Sequence, residues 1–331
     1  MALSKEQIEW MKIYYVAPAA ANNFFKTLIA IGTAPFMTRV DTIAYEEVKE
    51  VMVQAKILPR SAEFPIGKQD GFERKAVSPD IIKNSIPFGD GDGLEMVAGQ
   101  AYLNGQVMDN KDKKRNERIL KIKTSIEDMT NNIAAEMFFS QTYSPNVGSK
   151  ITFTKATEAT IVGTEIKNFP QWAREREQAY QKENKLFPSH RFIGADIFNR
   201  LIAIAEGKAN AISTTQIGVE NIGNTETQYI IVGGKKYYVL PNAQNAKGLA
   251  LNTDGLFILY NNNAIIPGYI GLTNVNAGKS TREEADILIR ETSANEKTGY
   301  AETLGESGYI PILVAPKLIW KITITGVEGI K

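Results

Sequence analysis

The sequence holds no cysteine among its 331 residues, which removes disulfides, thiolate metal sites and thiol nucleophiles. It holds one histidine, His190, so zinc chemistry and any mechanism that needs two imidazoles are also disfavoured. It has no excess charge of either sign, with 38 lysines and arginines against 37 aspartates and glutamates. A protein built to grip nucleic acid through many phosphate contacts carries a basic surplus, so dedicated nucleic-acid recognition is not the expectation. A long uninterrupted apolar run is lacking too. Val16–Met37 comes nearest, but Glu6 and Glu9 precede it and Asn22, Asn23 and Lys26 break it. That is neither a signal peptide nor a spanning helix, and the expectation is an unsecreted, cytoplasmic chain with no membrane partner.

What is present is globular. Hydrophobic residues make up 43% and charged residues 23%, enough for one large or two ordinary domains with a sizeable core. Leu3–Tyr15 reads as a helix capped by Ser4. Thr42–Leu58, rich in Val, Ile and Tyr, reads as extended. From Pro59 to Asp112 the chain turns Gly- and Pro-rich, with short β-type pieces at Phe72–Val77 and Met96–Tyr102. A stretch this long without a core of its own is unusual in a compact domain.

The strongest element follows. Lys111–Tyr143 contains no Gly or Pro, and Ile119, Ile122, Ile126, Met129, Ile133 and Met137 recur at steps of three or four. That is one apolar stripe on a long helix, expected to lie across a sheet. Lys150–Val162 and Thr164–Lys167 read as a β-hairpin around Gly163, and Phe169–Lys185 as a helix with Pro170 in its first turn and Trp172 as an anchor. A strand at Phe192–Ile193, a helix over Asp196–Glu206, and strands at Tyr229–Val232, Lys236–Val239 and Gly255–Tyr260 come next. Thr281–Glu291 reads as a helix capped by Ser280 or Thr281, and Tyr309–Val314 and Leu318–Thr325 as closing strands. Strands and helices mix without a βαβ rhythm, so the class is α+β.

Three motifs invite chemistry and fail on spacing. Phe88–Gln100, FGDGDGLEMVAGQ, suggests a calcium loop. Counted from Asp90, however, Leu94, Glu95 and Ala101 occupy positions where a ligand, a glycine and a bidentate glutamate are required. Ala277-Gly-Lys-Ser-Thr281 ends like a nucleotide-binding loop around Lys279, but Thr273 stands where the first glycine belongs. Ser189 and His190 are sequence neighbours with no acid spaced to orient the ring. The carboxylate pairs Glu46–Glu47 and Glu283–Glu284 sit in charged stretches. No catalytic constellation, cofactor site or metal site emerges, and the expectation is a protein that is not an enzyme.

The order of parts carries more than any motif. The carriers are Phe24-Phe25-Lys26-Thr27-Leu28 with Pro35-Phe36, Ile43–Pro59, Phe72–Lys83, the Arg-, Glu- and Ile-rich helix Arg115–Phe139, Phe192-Ile-Gly-Ala-Asp196 with Phe198, and Ser307–Val314 with Pro316. In this order the chain resembles the major capsid proteins of tailed bacteriophages, with the Hong Kong 97 type fold, and specifically the lambda-like capsid protein E family.

The resemblance implies an N-terminal arm at 1–41, peripheral-domain strands at 42–58, and an extended E-loop at 59–112. A peripheral domain with the spine helix would follow at 113–191, an axial domain at 192–307 and a return strand at 308–331. It implies hexamers and pentamers of the chain closing an icosahedral shell around double-stranded DNA, which is contacted non-specifically. A portal, a scaffold or a maturation protease would be partners. The place is the virion, with the host cytoplasm during assembly. Phe88, Asp90, Asp92, Leu94 and Met96, near the E-loop's turn, are the expected intersubunit contacts. The alternatives are an encapsulin-type compartment on the same fold and, more remotely, a nucleotide-binding enzyme using Lys279.

Overall fold

The computed structural model describes residues 23–48, 72–89, 102–103, 106–107, 110–144, 151–206, 216–223, 225–276, 279–292 and 300–331. The expected pieces at Leu3–Tyr15 and at 49–71 lie outside the described residues, as does most of Met96–Tyr102, of which only Tyr102 is described.

Helix α1, Phe24–Ala30, buries Phe24, Phe25, Leu28 and Ile29 completely. Helix α2, Asn110–Ser140, is the long helix read from the apolar stripe; its 31 residues span about 46 Å at 1.5 Å per residue. Ile119, Ile122, Ile126, Ile133 and Met137 are buried as the spacing requires. The first half of α2 lies on a three-stranded antiparallel sheet ordered Leu288–Glu291, Tyr300–Ser307, Ile82–Gly89. There Ile122, Ile126 and Ile287 form a small core with Ile82, Ile86 and Ile289. The second half enters the main core, where Ala134, Ala135, Met137 and Phe138 have no exposed surface.

Gly305 sets how closely α2 approaches that sheet. A Cβ there would stand 2.2 Å from Ile122 Cγ2 and 2.8 Å from Ile126 Cδ1. Gly305→Ala is therefore expected to cost about 1–3 kcal/mol by overpacking. Chemical denaturation of Gly305→Ala alone and combined with Ile122→Val checks this, since trimming the isoleucine should recover part of the loss. Strictly additive losses would show that this contact is not the cause.

The main core surrounds a seven-stranded sheet ordered Gln216–Ile222, Thr225–Val232, Lys235–Val239, His190–Ile193, Leu256–Tyr260, Ile319–Thr325, Thr157–Val162. His190–Ile193 runs parallel to Lys235–Val239, and Ile319–Thr325 runs parallel to Thr157–Val162; the other pairings are antiparallel. All five residues of Leu256–Tyr260 are buried, as befits a strand covered on both faces. On one face lies helix α3, Phe169–Asn184, capped by Asn168, whose side chain accepts from Gln171 N, and carrying Pro170 in its first turn. Phe169 meets Tyr237 and Phe257, Trp172 meets Phe257, and Tyr180 meets Trp320. The opposite face meets α1 and α2 through Phe24, Phe138, Phe192 and Tyr260. Helix α4, Ala195–Glu206, follows directly on the strand His190–Ile193.

Two expectations are corrected. There is no hairpin around Gly163: Thr157–Val162 pairs with Ile319–Thr325, and Gly163–Glu165 is a single 3-10 turn. A Cβ on Gly163 would lie 2.1 Å from the Gly326 carbonyl oxygen, so this glycine serves a close approach of two chain segments.

The helix expected over Thr281–Glu291 is two strands, Lys279–Glu283 paired with Leu272–Asn276, and Leu288–Glu291 paired with Tyr300–Ser307. Ile287 and Ile289 both pack toward α2, a period of two that long-range pairing imposes on a helix-prone charged run. Ile82–Gly89, an edge strand, pairs along its whole length with Tyr300–Ser307 of the same chain.

Candidate functional site

Phe88 is the one expected contact residue within the described region; Asp90, Asp92, Leu94 and Met96 lie outside it. Phe88 stands opposite Ala301, half-buried, with the Arg118 guanidinium 4.2 Å from its ring centre. Its ring is thus engaged by α2 of its own chain. Lys279 opens a strand, opposite Asn276, so no helix N-terminus follows it to hold a phosphate. Among the described residues, no three carboxylates and imidazoles converge on a metal position, and no helix is long and apolar enough to cross a membrane.

His190 is half-buried, at the boundary of core and surface. Its ring lies parallel to that of Phe192, within 8°, its Nδ1 is 3.0 Å from Asn262 Oδ1, and Tyr238 and Tyr260 close the sides. Burial pushes its pKa below the ordinary 6.5, against the pull of the Asn262 hydrogen bond. The unfolded chain then takes up this proton at a higher pH than the folded one. Stability from this group is complete above pH 6.5 and is lost as the pH falls through the lowered value. The melting temperature is expected to drop between pH 7.5 and 5.5 in the native chain and to drop less in His190→Gln. Equal drops would remove His190 as the cause.

Several of the exposed large side chains are apolar. Ile31, Phe36, Met37 and Val40, all exposed, sit on one stretch between α1 and the strand Ile43–Val48. This stretch is pinned down as a strap. Phe36 and Met37 pair in parallel with Gly268 and Tyr269, and the Arg39 backbone lies where a Cβ on Gly271 would be, 2.6–2.8 Å away. Arg282 bridges to Asp41 at 2.7 Å and donates to the Arg39 carbonyl at 3.1 Å, while Arg39 reaches Glu284 at 3.3 Å. The Arg282 hydrogen bond holds the Asp41 carboxyl below its usual range. An anchored backbone with outward apolar side chains is the pattern of a contact surface.

A second such feature is the edge strand Gln216–Ile222, where Ile217 and Val219 are more than half exposed. Tyr229 stands over Gly218, and Lys236 bridges to Glu220 at 2.6 Å beside the Tyr238 hydroxyl. Sequence reading missed both surfaces. A two-residue strand gives no period to read, and the alternation of Ile217 and Val219 does not say which face is covered.

No family model matches this sequence, and no curated protein matches it. Among solved structures, the chain is similar to a protein assigned as the capsid protein of a prophage in E. coli CFT073. The TM-score is 0.58 at 12% identity, over 98% of this chain and 100% of the other. It also aligns with the SrpI encapsulin of Synechococcus elongatus PCC 7942 (TM-score 0.48, 12% identity, 100% and 97% coverage). A third alignment is with the capsid of cyanophage P-SCSP1u (0.45, 11%, 94% and 90%); these two overlap too loosely to bear weight. Over nearly its whole length, the chain has the α+β fold of phage major capsid proteins, the Hong Kong 97 type.

Proposed function

We propose that this chain is the major capsid protein of a tailed phage or prophage, assembling with copies of itself into the icosahedral head around double-stranded DNA. The observation that carries the reading is the end-to-end match of its fold to a prophage capsid chain. The exposed apolar strap supports it, because a shell subunit must keep surface in reserve for its neighbours. In this reading 59–112 includes the E-loop and α2 is the spine helix of the peripheral domain. The axial domain is 192–307, which supplies four whole strands of the seven-stranded sheet and the end of His190–Ile193. Hexamers and pentamers are the building units, a portal and a scaffold or maturation protease are the partners, and no catalytic step belongs to the chain. The finished product is part of the virion, assembled in the host cytoplasm.

Electron microscopy and light scattering of the expressed chain test this. Closed particles are expected; a chain that stays monomeric under assembly conditions would overturn the reading. Particles filled with an enzyme in place of DNA would transfer it to the encapsulin alternative. Phe36→Asp combined with Met37→Asp is expected to leave the melting temperature nearly unchanged while reducing particle yield at least about tenfold, since two charges would be desolvated at each contact.

A further inference from the structure

Between α1 and the strand Ile43–Val48 the chain crosses a long interval without a core anchor. Ile29 and Ile43 are buried, but none of residues 31–42 is; Thr33 and Thr38 are half-buried and the others exposed. Apolar burial therefore does not hold the strap. Its backbone pairing is brief: two residues beside Gly268 and Tyr269, then one bond of 3.0 Å from Thr38 N to the Tyr269 carbonyl oxygen. Under Arg39 lies Gly271, which has no side chain to interlock with the strap.

The main fastening is charge. Three alternate residues of one segment, Arg282, Glu284 and Asp286, each meet an opposite charge near the N-terminus, at Asp41, Arg39 and Lys26. Arg282 and Asp41 form a two-pronged fork, 2.7 Å from Nη1 to Oδ1 and 2.8 Å from Nη2 to Oδ2. Nη1 also donates to the Arg39 carbonyl at 3.1 Å. Arg39 Nε stands 3.3 Å from Glu284 Oε1, and Lys26 Nζ stands 3.2 Å from Asp286 Oδ2. A lone surface ion pair contributes little, but fork geometry and a network of pairs are the two circumstances in which it counts. The rungs differ in shielding. The Lys26 side chain is 16% exposed and sits on α1, whose Phe24 and Phe25 are in the core. Arg39 and Asp41, at 72% and 63%, lie in solvent.

We infer that Arg282 and Glu284 are positioning residues of the contact strap, and that they make it a latch which salt releases while α1 stays docked. The inference rests on the shell reading for the strap's role and adds how that role is regulated. Screening shortens from about 10 Å at 0.1 M salt to about 3 Å at 1 M, and it acts most on the two solvent-facing rungs. Contacts of Phe36 and Met37 with a second copy then weaken as ionic strength rises. Apolar burial has no charge to screen and by itself would give no such loss.

Hydrogen exchange read by mass spectrometry tests this on the unassembled chain from gel filtration, at about 50 mM and about 1 M sodium chloride. Strap amides are expected to exchange about tenfold faster at the higher salt, while those of α1 and of Leu256–Tyr260 keep their rates. Arg282→Gln is expected to show the fast rate already at low salt and to lose most of the salt response. Arg282→Glu should free the strap likewise. Adding Asp41→Arg, which exchanges the two charges in place, should restore part of the protection together with its salt dependence. A merely structural change at Arg282 would alter the rate and leave that dependence as it was.

Equal strap rates at the two salt concentrations, a protected strap in Arg282→Gln, or no recovery in the exchanged pair would overturn the inference. Its failure is separable from that of the shell reading, because exchange is read before assembly. A salt-released strap on a chain that never forms particles sinks the shell reading alone. Particles that form from a chain whose strap is indifferent to salt sink the latch alone.

Discussion

Phe138→Ala is expected to lower stability by about 3–5 kcal/mol, near the limit for a single core truncation. The ring has no exposed surface and sits at the junction of four elements. Its centre is 5.2 Å from those of Phe139 and Tyr260, 5.7 Å from Phe25 and 5.9 Å from Phe192. These rings come from α1, α2 and two strands of the seven-stranded sheet, so removing the central one leaves a cavity that no single element can move to fill. Edge-to-face contacts among them add to the area term. Urea unfolding should show a lower midpoint with the slope nearly unchanged. Phe138→Leu, which keeps most of the volume, should lose clearly less. A loss below about 1.5 kcal/mol for the alanine variant would mean that the site collapses, and that the helix–sheet junction is less rigid than the packing indicates.

The second large effect is electrostatic. Glu177 of α3 is buried and accepts two hydrogen bonds from Arg191, at 2.6 and 3.0 Å, with the Tyr237 hydroxyl at 3.4 Å. This fork ties α3 to the face of the sheet. Glu177→Ala leaves the Arg191 guanidinium buried without its partner, and a loss of about 3–5 kcal/mol is expected. The loss measures a stranded charge and not the worth of the pair. Glu177→Leu together with Arg191→Met should therefore recover most of it, because replacing both ions by apolar groups of similar volume is often close to neutral. If the double variant is as unstable as Glu177→Ala, the pair itself contributes net stability. Denaturation of the single and double variants on one scale separates the two cases.

The parts legible in advance have a local cause. The absence of Gly and Pro and the spacing from Ile119 to Met137 placed α2 within a few residues of its ends, 110–140 against 111–143. Pro170 placed the start of α3. Both signals lie within a turn or two of the element they mark.

The parts that were not legible depend on residues outside the segment itself. Gly163 looks like a hairpin turn until Gly326 is brought against it, and 281–291 looks helical until Tyr300–Ser307 claims it as strand. Of the intersubunit contacts expected at Phe88, Asp90, Asp92, Leu94 and Met96, only Phe88 lies within the described residues. The strap at 31–40 becomes visible only once Gly268, Gly271 and Arg282 pin its backbone and leave Phe36 and Val40 uncovered.

By itself, then, the sequence determined the α+β class, the long helix and the order of parts that resembles a capsid chain. Helical period, capping and charge are properties of neighbouring residues. The tertiary structure alone decided which strand joins which, how closely α2 sits on its sheet at Gly305, and which apolar residues remain outside. Those depend on pairing between separate segments and on the space a missing Cβ leaves, and no local pattern encodes them.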